Sequence, residues 1–436
     1  MTKTPDASAA DSVTDSATER PRVPAEITVL IAAAFVIALG FGLIAPVLPQ
    51  YAQSFGVGVT AASTIVSAFA FARLVFAPGG GALVSTFGER PVYITGLLIV
   101  AISTAATGLA QTYGQLLVFR ALGGIGSTMF TISAMGLIVR LSPPTIRGRV
   151  SGYYATAFLM GNILGPALGG LLAPFGYRVP FFIYAGALVV ASLVVAIFLS
   201  GASLRPKPGA TPLPVMTVRQ ALTDSAYRAA LFSGFANGWM NFGVRMALLP
   251  LFAATTPGLG LWSAAVALTL FAVGNAAALQ AGGRLVDSRG RKRVLIVGLI
   301  VSSLATATYG YVDSIVPFFV LSVIAGMGAG LLNPAQQATV ADVVGSERNG
   351  GKVLAAFQMA TDVGTISGPL AAGVIADHWG YGPAFALTAA VTALAALAWI
   401  PARETIPGGR RPWRATQTQQ ESDSQTSEPQ TPENRA

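Results

Sequence analysis

Stretches of about 20 consecutive apolar residues recur along this chain from one end to the other. The hydrocarbon interior of a bilayer offers no partner to a free backbone N–H or C=O, so such a stretch crosses it as a helix. About twelve are legible. In the first half they lie near 27–50, 60–84, 91–110, 114–140, 148–173 and 180–200, and in the second near 226–252, 262–285, 294–311, 315–340, 351–376 and 382–401. Their solid apolar character excludes a transmembrane β-barrel, whose strands alternate apolar and polar residues. Only 10% of the 436 residues are charged, against about 25% in an ordinary soluble domain. No separate soluble domain of useful size fits between the runs.

The charges that exist are unevenly placed. Alternate loops hold nearly all the basic residues outside the runs: Arg90, Arg147, Arg149, Arg205, Lys207, Arg219, Arg289, Arg291, Lys292, Arg293, Arg348, Lys352 and Arg403. The intervening loops hold Arg178 alone. This asymmetry is the positive-inside pattern and places both termini in the cytoplasm. The net charge of +9 is therefore read as topology, and nucleic acid is not an expected partner. The expected organisation is a disordered N-terminus (1–25), a six-helix bundle (26–200), a cytoplasmic linker (201–225), a second six-helix bundle (226–402) and a disordered tail (403–436). The N-terminus lacks the apolar core of a secretory signal.

The two halves repeat one another. Gly161, Gly165-Pro166 and Gly170 recur as Gly364, Gly368-Pro369 and Gly373, an offset of 203 (368 − 165), with Ala372 where the first half has Gly169. Gly81-Ala-Leu83-Val84 recurs as Gly283-Arg-Leu285-Val286, an offset of 202 (283 − 81). Gly124 and Gly126 recur as Gly326 and Gly328 at the same spacing. The expected fold class is an all-α integral membrane protein of 12 transmembrane helices in two pseudo-symmetric six-helix bundles.

These residues give the chain a resemblance to the major facilitator superfamily, especially its twelve-helix drug:proton antiporters. Gly283, Asp287, Arg289, Gly290, Arg291 and Lys292 fit the superfamily's loop signature, Arg120 to Gly126 its helix 4 signature, and Gly161 to Gly170 its helix 5 signature. The first-half loop copy keeps Gly81, Gly88 and Arg90 but has Ser85 where the second has Asp287, and Glu89 where it has Arg291. The expected cytoplasmic latch is thus carried by Asp287, facing the start of the fifth run near Gly148 and Arg149, where a helix N-terminus favours an anion. The resemblance further implies midplane binding, cavity walls from runs 1, 4, 7 and 10 with 5 and 11, and a proton-linked role for Arg120.

Charges within a bilayer are costly and mark function by default. Four lie well inside the runs: Arg73, Arg120, Arg245 and Asp362. Asp362 is the one acid, and it is the candidate proton-responsive group; the competing reading is a permanently ionised partner of one arginine. Arg245 either binds an anionic substrate group or anchors the halves. The glycine-proline signatures predict that runs 5 and 11 pack closely across the two halves, with bends at Pro46, Pro49 and Pro250. Candidate cavity residues are Phe41, Met129, Phe130, Tyr154, Met160, Asn162, Asn237, Trp239, Asn241, Asn333, Gln336, Gln337, Gln358 and Met359, where aromatic rings and Met adapt to varied ligands.

No catalytic apparatus is legible. With no cysteine and a single histidine, His378, a metal site is not expected, and His378 is read as solvated. Gly345 to Gly350 begins like a phosphate loop, but Gly351 stands where its lysine is required. Without an ATPase module or cofactor, the energy source is an ion gradient. The expected function is secondary transport by alternating access in a bacterial inner membrane, exporting amphipathic small molecules or drugs against protons, as a monomer needing no ATPase subunit. An uptake symporter is the alternative, and a membrane scaffold a more distant one.

Overall fold

The computed structural model describes residues 25–141, 147–199, 214–345, 348 and 350–406. The expected linker and tail lie largely outside the described residues. Helix is the main element. α1 spans Ala25–Ile44 and, after a break at Ala45 to Val47 where Pro46 has no N–H to give, α2 continues over Leu48–Gln53. Then follow α3 (Val59–Phe87), α4 (Glu89–Leu109), α5 (Tyr113–Leu141), α6 (Arg147–Leu172) and α7 (Val179–Phe198). A single turn, α8 (Val218–Ala221), precedes α9 (Ser225–Asn237), and α10 (Arg245–Thr255) completes that crossing. The last five are α11 (Leu261–Arg289), α12 (Arg291–Tyr309), α13 (Ile315–Val344), α14 (Gly351–Trp379) and α15 (Tyr381–Ala398).

Among the described residues, eleven helices are each long and apolar enough to cross a membrane. The twelfth crossing is composite: α9 and α10 are joined by a π-helical stretch, Gly238–Val244. A bend in this crossing is expected at Pro250, but the irregularity lies one to three turns earlier and Pro250 sits inside α10. The cause is packing. A side chain at Gly238 would strike the carbonyl of Thr361, and one at Gly243 would come within 2.8 Å of Pro369 Cδ. Helix α14 thus presses against this segment, and the wider π turn accommodates it.

Outward-facing apolar side chains need hydrocarbon around them. Ile102, Ile197 and Leu304 are 69%, 73% and 65% exposed, which water would penalise and lipid tails do not. Inside, where lipid provides no hydrophobic drive for helix pairing, close contact between backbones holds the helices. Gly88 (φ +84°) and Gly290 (φ +100°) make the tight turns α3–α4 and α11–α12 in a left-handed conformation that residues with a Cβ adopt at a cost. They are 202 residues apart (290 − 88), the repeat offset found in the sequence.

The first six crossings and the last six meet along two seams, α3 on α14 and α6 on α11. Among the described residues, the hydrogen bonds that cross between them cluster towards one end. Gln50 Nε2 donates to the Pro250 carbonyl at 3.3 Å, Val59 N and Thr60 N donate to Asp377, and Ser67 Oγ donates to the Ile366 carbonyl at 2.7 Å. The opposite end carries the basic turns around Gly88 and Gly290.

Candidate functional site

A cavity of about 280 Å³ lies between the two sets of crossings. Helical spacing explains what faces it. On α14, Gln358, Thr361, Asp362 and Thr365 recur at three- and four-residue steps and form one stripe. On α3, Phe69 and Arg73 are one turn apart, as are Phe242 and Met246 where the π stretch meets α10. Phe41 and Ile44 from α1, Arg120 from α5 and Phe158 from α6 close the wall. The lining is mainly apolar and aromatic, with three charged side chains.

Those three differ in how they are satisfied. Asp362 accepts a hydrogen bond from Gln358 Nε2 at 3.2 Å and feels the charge of Arg73 across the cavity. Arg73 Nη1 donates to Ser127 Oγ at 3.3 Å. Arg120 is only 9% exposed, and its guanidinium lies over the Phe69 ring, 4.2 Å from the centroid. Its Nε has no hydrogen-bond partner.

Arg245 is elsewhere. Its Nε donates to Asn241 Oδ1 at 3.3 Å and its Nη1 to the Tyr309 hydroxyl at 3.2 Å, while its guanidinium lies 4.1 Å from the Phe271 centroid. Asn241 Nδ2 donates to Asn237 Oδ1 at 2.7 Å, Asn237 Nδ2 to Asn333 Oδ1 at 3.4 Å, and Tyr309 to Ser322 Oγ at 3.0 Å. Arg245 therefore neither lines the main cavity nor joins the halves; it anchors helices within the second half.

The other sequence candidates divide similarly. Phe41 and Gln358 face the cavity. Phe130 is buried edge-on against Tyr93, Met129 packs by Gly96, and Tyr154 packs against the first-half core. Asn162 Nδ2 donates to the Phe158 carbonyl at 2.9 Å. Trp239 Nε1 donates to Thr388 Oγ1 at 3.3 Å and Gln336 Nε2 to Ser233 Oγ at 3.2 Å, both inside the second half, whereas Gln337 is exposed. Met160 and Met359 are also exposed. His378 is exposed as well, with Nδ1 2.9 Å from the Val374 carbonyl. Phe69, Phe158, Phe242 and Met246 are absent from the sequence candidates, although Phe69, Phe158 and Phe242 each lie one turn from a singled-out polar residue, Arg73, Asn162 and Arg245 respectively.

The glycine signatures need a correction. α6 and α14 do not use them to pack on each other. A Cβ at Gly161 would come within 2.7 Å of the Phe35 carbonyl and Leu39 N, and one at Gly165 within 2.5 Å of the Leu39 carbonyl, so α6 packs on α1. Gly169 meets the Leu43 carbonyl in the same way, with Pro166 against Gly42. Gly364 and Gly368 face Phe235 and Trp239, so α14 packs on the composite crossing of its own half. Only Gly170, against Ala265, and Gly373, against Thr60 and Ser63, face the other half.

At the basic end, Gly81 and Gly283 face open space. Arg90 Nη2 donates to the Ala196 carbonyl at 2.7 Å, Arg291 pairs with Asp342 at 2.8 Å, and Lys292 Nζ donates to the Ile400 carbonyl at 2.6 Å. Arg289 is exposed. The side chains of Asp287 and Arg149, and any contact between Asp287 and Gly148, lie outside the described residues.

The sequence profile of the Major Facilitator Superfamily matches residues 30–268 and 230–429, which together span most of the chain. The chain belongs to the Major Facilitator Superfamily. It is a multi-pass membrane protein. Multidrug resistance protein 2 of Bacillus subtilis is 27% identical over 361 residues, 80% of this chain and 88% of that protein. Quinolone resistance protein NorA of Staphylococcus aureus is 32% identical over 174 residues, 40% of this chain, and the match spans only 45% of NorA's length. Among solved structures, a bacterial homologue of the lysosomal transporter Spinster, inward-facing and occupied, superposes with a TM-score of 0.72 at 16% identity, covering 86% of this chain and 95% of that one. A POT family transporter bound to 5-aminolevulinic acid gives 0.74 at 11% identity, covering 86% and 95%. These two likenesses concern the superfamily fold.

Proposed function

We propose that this protein exports amphipathic small molecules in exchange for protons, by alternating access, from the cytoplasm across a bacterial inner membrane. The observation that carries the reading is the cavity between the halves, apolar in most of its wall with four phenylalanines, Phe41, Phe69, Phe158 and Phe242, and holding a single carboxylate, Asp362, within the field of Arg73. A protonated Asp362 leaves Arg73 without its counter-charge, and an ionised one restores it. Substrate and proton thereby bind unequally in the two states, which coupling requires. The drug-resistance names of the two relatives support export.

The distribution of contacts supports alternating access. The halves are tied at the Asp377 end, while Gly81 and Gly283 face open space at the other. The moving bodies are taken as 26–200 and 226–402, acting as a monomer with no ATPase subunit or cofactor. The basic turns support a reading in which the open end and both termini lie in the cytoplasm.

The test is proton movement in proteoliposomes carrying an inward-acidic gradient, challenged with cationic, neutral and anionic amphiphiles. Ligand-triggered proton efflux in the wild type, lost in Asp362→Asn with folding intact, is the expected result. Proton movement in the same direction as the ligand would replace export with uptake symport. Efflux retained in the variant would move the proton site away from Asp362.

A further inference from the structure

The cavity holds two guanidinium groups and one carboxylate, and among the described residues one of the guanidinium groups has no hydrogen-bond partner. None of the nitrogens of Arg120 makes a hydrogen bond with a described residue, and Nε is fully enclosed without one. Its neighbours are the face of Phe69 and, further off, the hydroxyl of Tyr184, which donates to the Ile37 carbonyl. A cation removed from water is penalised unless charge and hydrogen bonds replace what water gave, and one aromatic face replaces only part of that. The buried Arg245 is a contrast within the same protein: Asn241, Tyr309 and Phe271 surround it. Arg120 has the ring and lacks the acceptors.

Asp362 does not fill that place. It accepts from Gln358 and shares the field of Arg73, and no direct ion pair joins it to Arg120 among the described residues. Phe69 lies under the guanidinium, and Phe41, its ring centroid 6.4 Å from that of Phe69, extends an aromatic patch of the cavity wall against which a flat apolar body can lie.

We propose that the cavity is built for an organic acid with an aromatic body, whose carboxylate docks on the Arg120 guanidinium while its ring packs against Phe41 and Phe69. The forked donor geometry of arginine suits a carboxylate, and pairing against a mainly apolar wall makes each such hydrogen bond strong. A purely cationic ligand would meet one carboxylate already beside Arg73 and would leave Arg120 unpartnered. This substrate class rests on the reading of the cavity as the transport site.

Three probes sharing one ring system separate the possibilities: naphthaleneacetate, naphthaleneacetamide and naphthylmethylammonium. Each is titrated against the full chain in lipid nanodiscs and then tested for transport in proteoliposomes. The expected result is binding of naphthaleneacetate about tenfold or more tighter than the amide, the scale of a charge-assisted pair, with the ammonium weakest. Arg120→Gln should bring the acid down to the level of the amide and leave the amide unchanged. If Arg120→Gln does not fold, as judged by thermal unfolding in detergent, Arg120→Lys keeps the charge and loses the fork, and should weaken the acid alone. An acid preference unchanged in the variant that folds, or tighter binding of the ammonium than of the acid in the wild type, overturns the proposal. Transport of ammonium and amide but not acid overturns it and leaves the transporter of amphiphiles standing. Transport of none of the three by folded, oriented protein overturns both.

Discussion

The carboxylate of Asp377, in the last turn of α14, caps the start of α3 in the other half, where Thr60 N donates to Oδ2 and Val59 N to Oδ1, each at 2.8 Å. The Thr60 hydroxyl donates to the same carboxylate. An anion on free N–H groups at the positive end of a helix is a favourable arrangement, and here it spans the joint that opens in the proposed alternating access. Asp377→Asn is therefore expected to weaken closure at this end by about 1 kcal/mol, a roughly fivefold shift of the closed-to-open ratio, given the site's exposure. The chain has no cysteine, so spin labels on Gln53→Cys and Trp379→Cys report the gap directly. A distance distribution identical with and without Asp377 would remove this contact from the gate.

Much of the fold was legible because hydrocarbon imposes it. Runs near 91–110 and 294–311 became α4 and α12 with ends displaced by a few residues. What no run could reveal is where a helix departs from α-geometry, since the π stretch at Gly238–Val244 is caused by α14, more than a hundred residues away. The site was partly legible for the same reason. Arg73, Arg120 and Asp362 stand out as charges inside apolar runs, and all three reach the cavity. Arg245 carries the same signal and does not, because an asparagine one turn away and a tyrosine on α12 satisfy it inside its own half. Asp377 escaped notice because a carboxylate at a helix end reads as solvated until its partner is known.

The glycine signature separates packing from gating. A Cβ at Gly165 lands 2.5 Å from the Leu39 carbonyl and 2.8 Å from Gly42 Cα, both backbone atoms that cannot swing aside. Gly165→Ala should cost about 1–3 kcal/mol through forced separation of α1 and α6, read as a lower Tm in detergent. A Cβ at Gly170 meets only Ala265, across the joint. Gly170→Ala should leave the Tm nearly unchanged while widening the labelled gap. Equal losses of Tm would mean that both glycines serve ordinary packing.

The hydroxyl of Tyr309 links the Arg245 guanidinium to Ser322 and so joins α10, α12 and α13. Tyr309→Phe keeps the ring and removes the hydroxyl that accepts from Arg245 Nη1, leaving a buried charge short of one hydrogen bond. The expected cost is about 1–3 kcal/mol of stability, with the affinity for a cavity ligand unchanged. A fall in ligand affinity without a fall in Tm would assign this network to the binding site instead.

At the basic end, Asp224 pairs with Arg403 and caps α9 by accepting from Ala226 N at 2.9 Å. Burial works to raise this carboxyl, but hydrogen bonding and charge from Arg403 and the capped backbone N–H groups outweigh it and hold it below the ordinary Asp range. A carboxyl held lower in the folded state than in the unfolded binds fewer protons when folded. Its stabilisation is complete above the unfolded value, near about pH 3.9, and is lost as the pH falls through the folded one. Arg403 is half exposed, so the pair contributes on the order of 0.5–1 kcal/mol at neutral pH. Thermal unfolding in detergent should show Asp224→Asn below the wild type near pH 7, with the two curves converging as the pH falls below about 3.9 and the wild-type carboxyl takes up its proton. A difference that persists undiminished at the acid end would assign the loss to the amide's poorer capping geometry instead of to the charge.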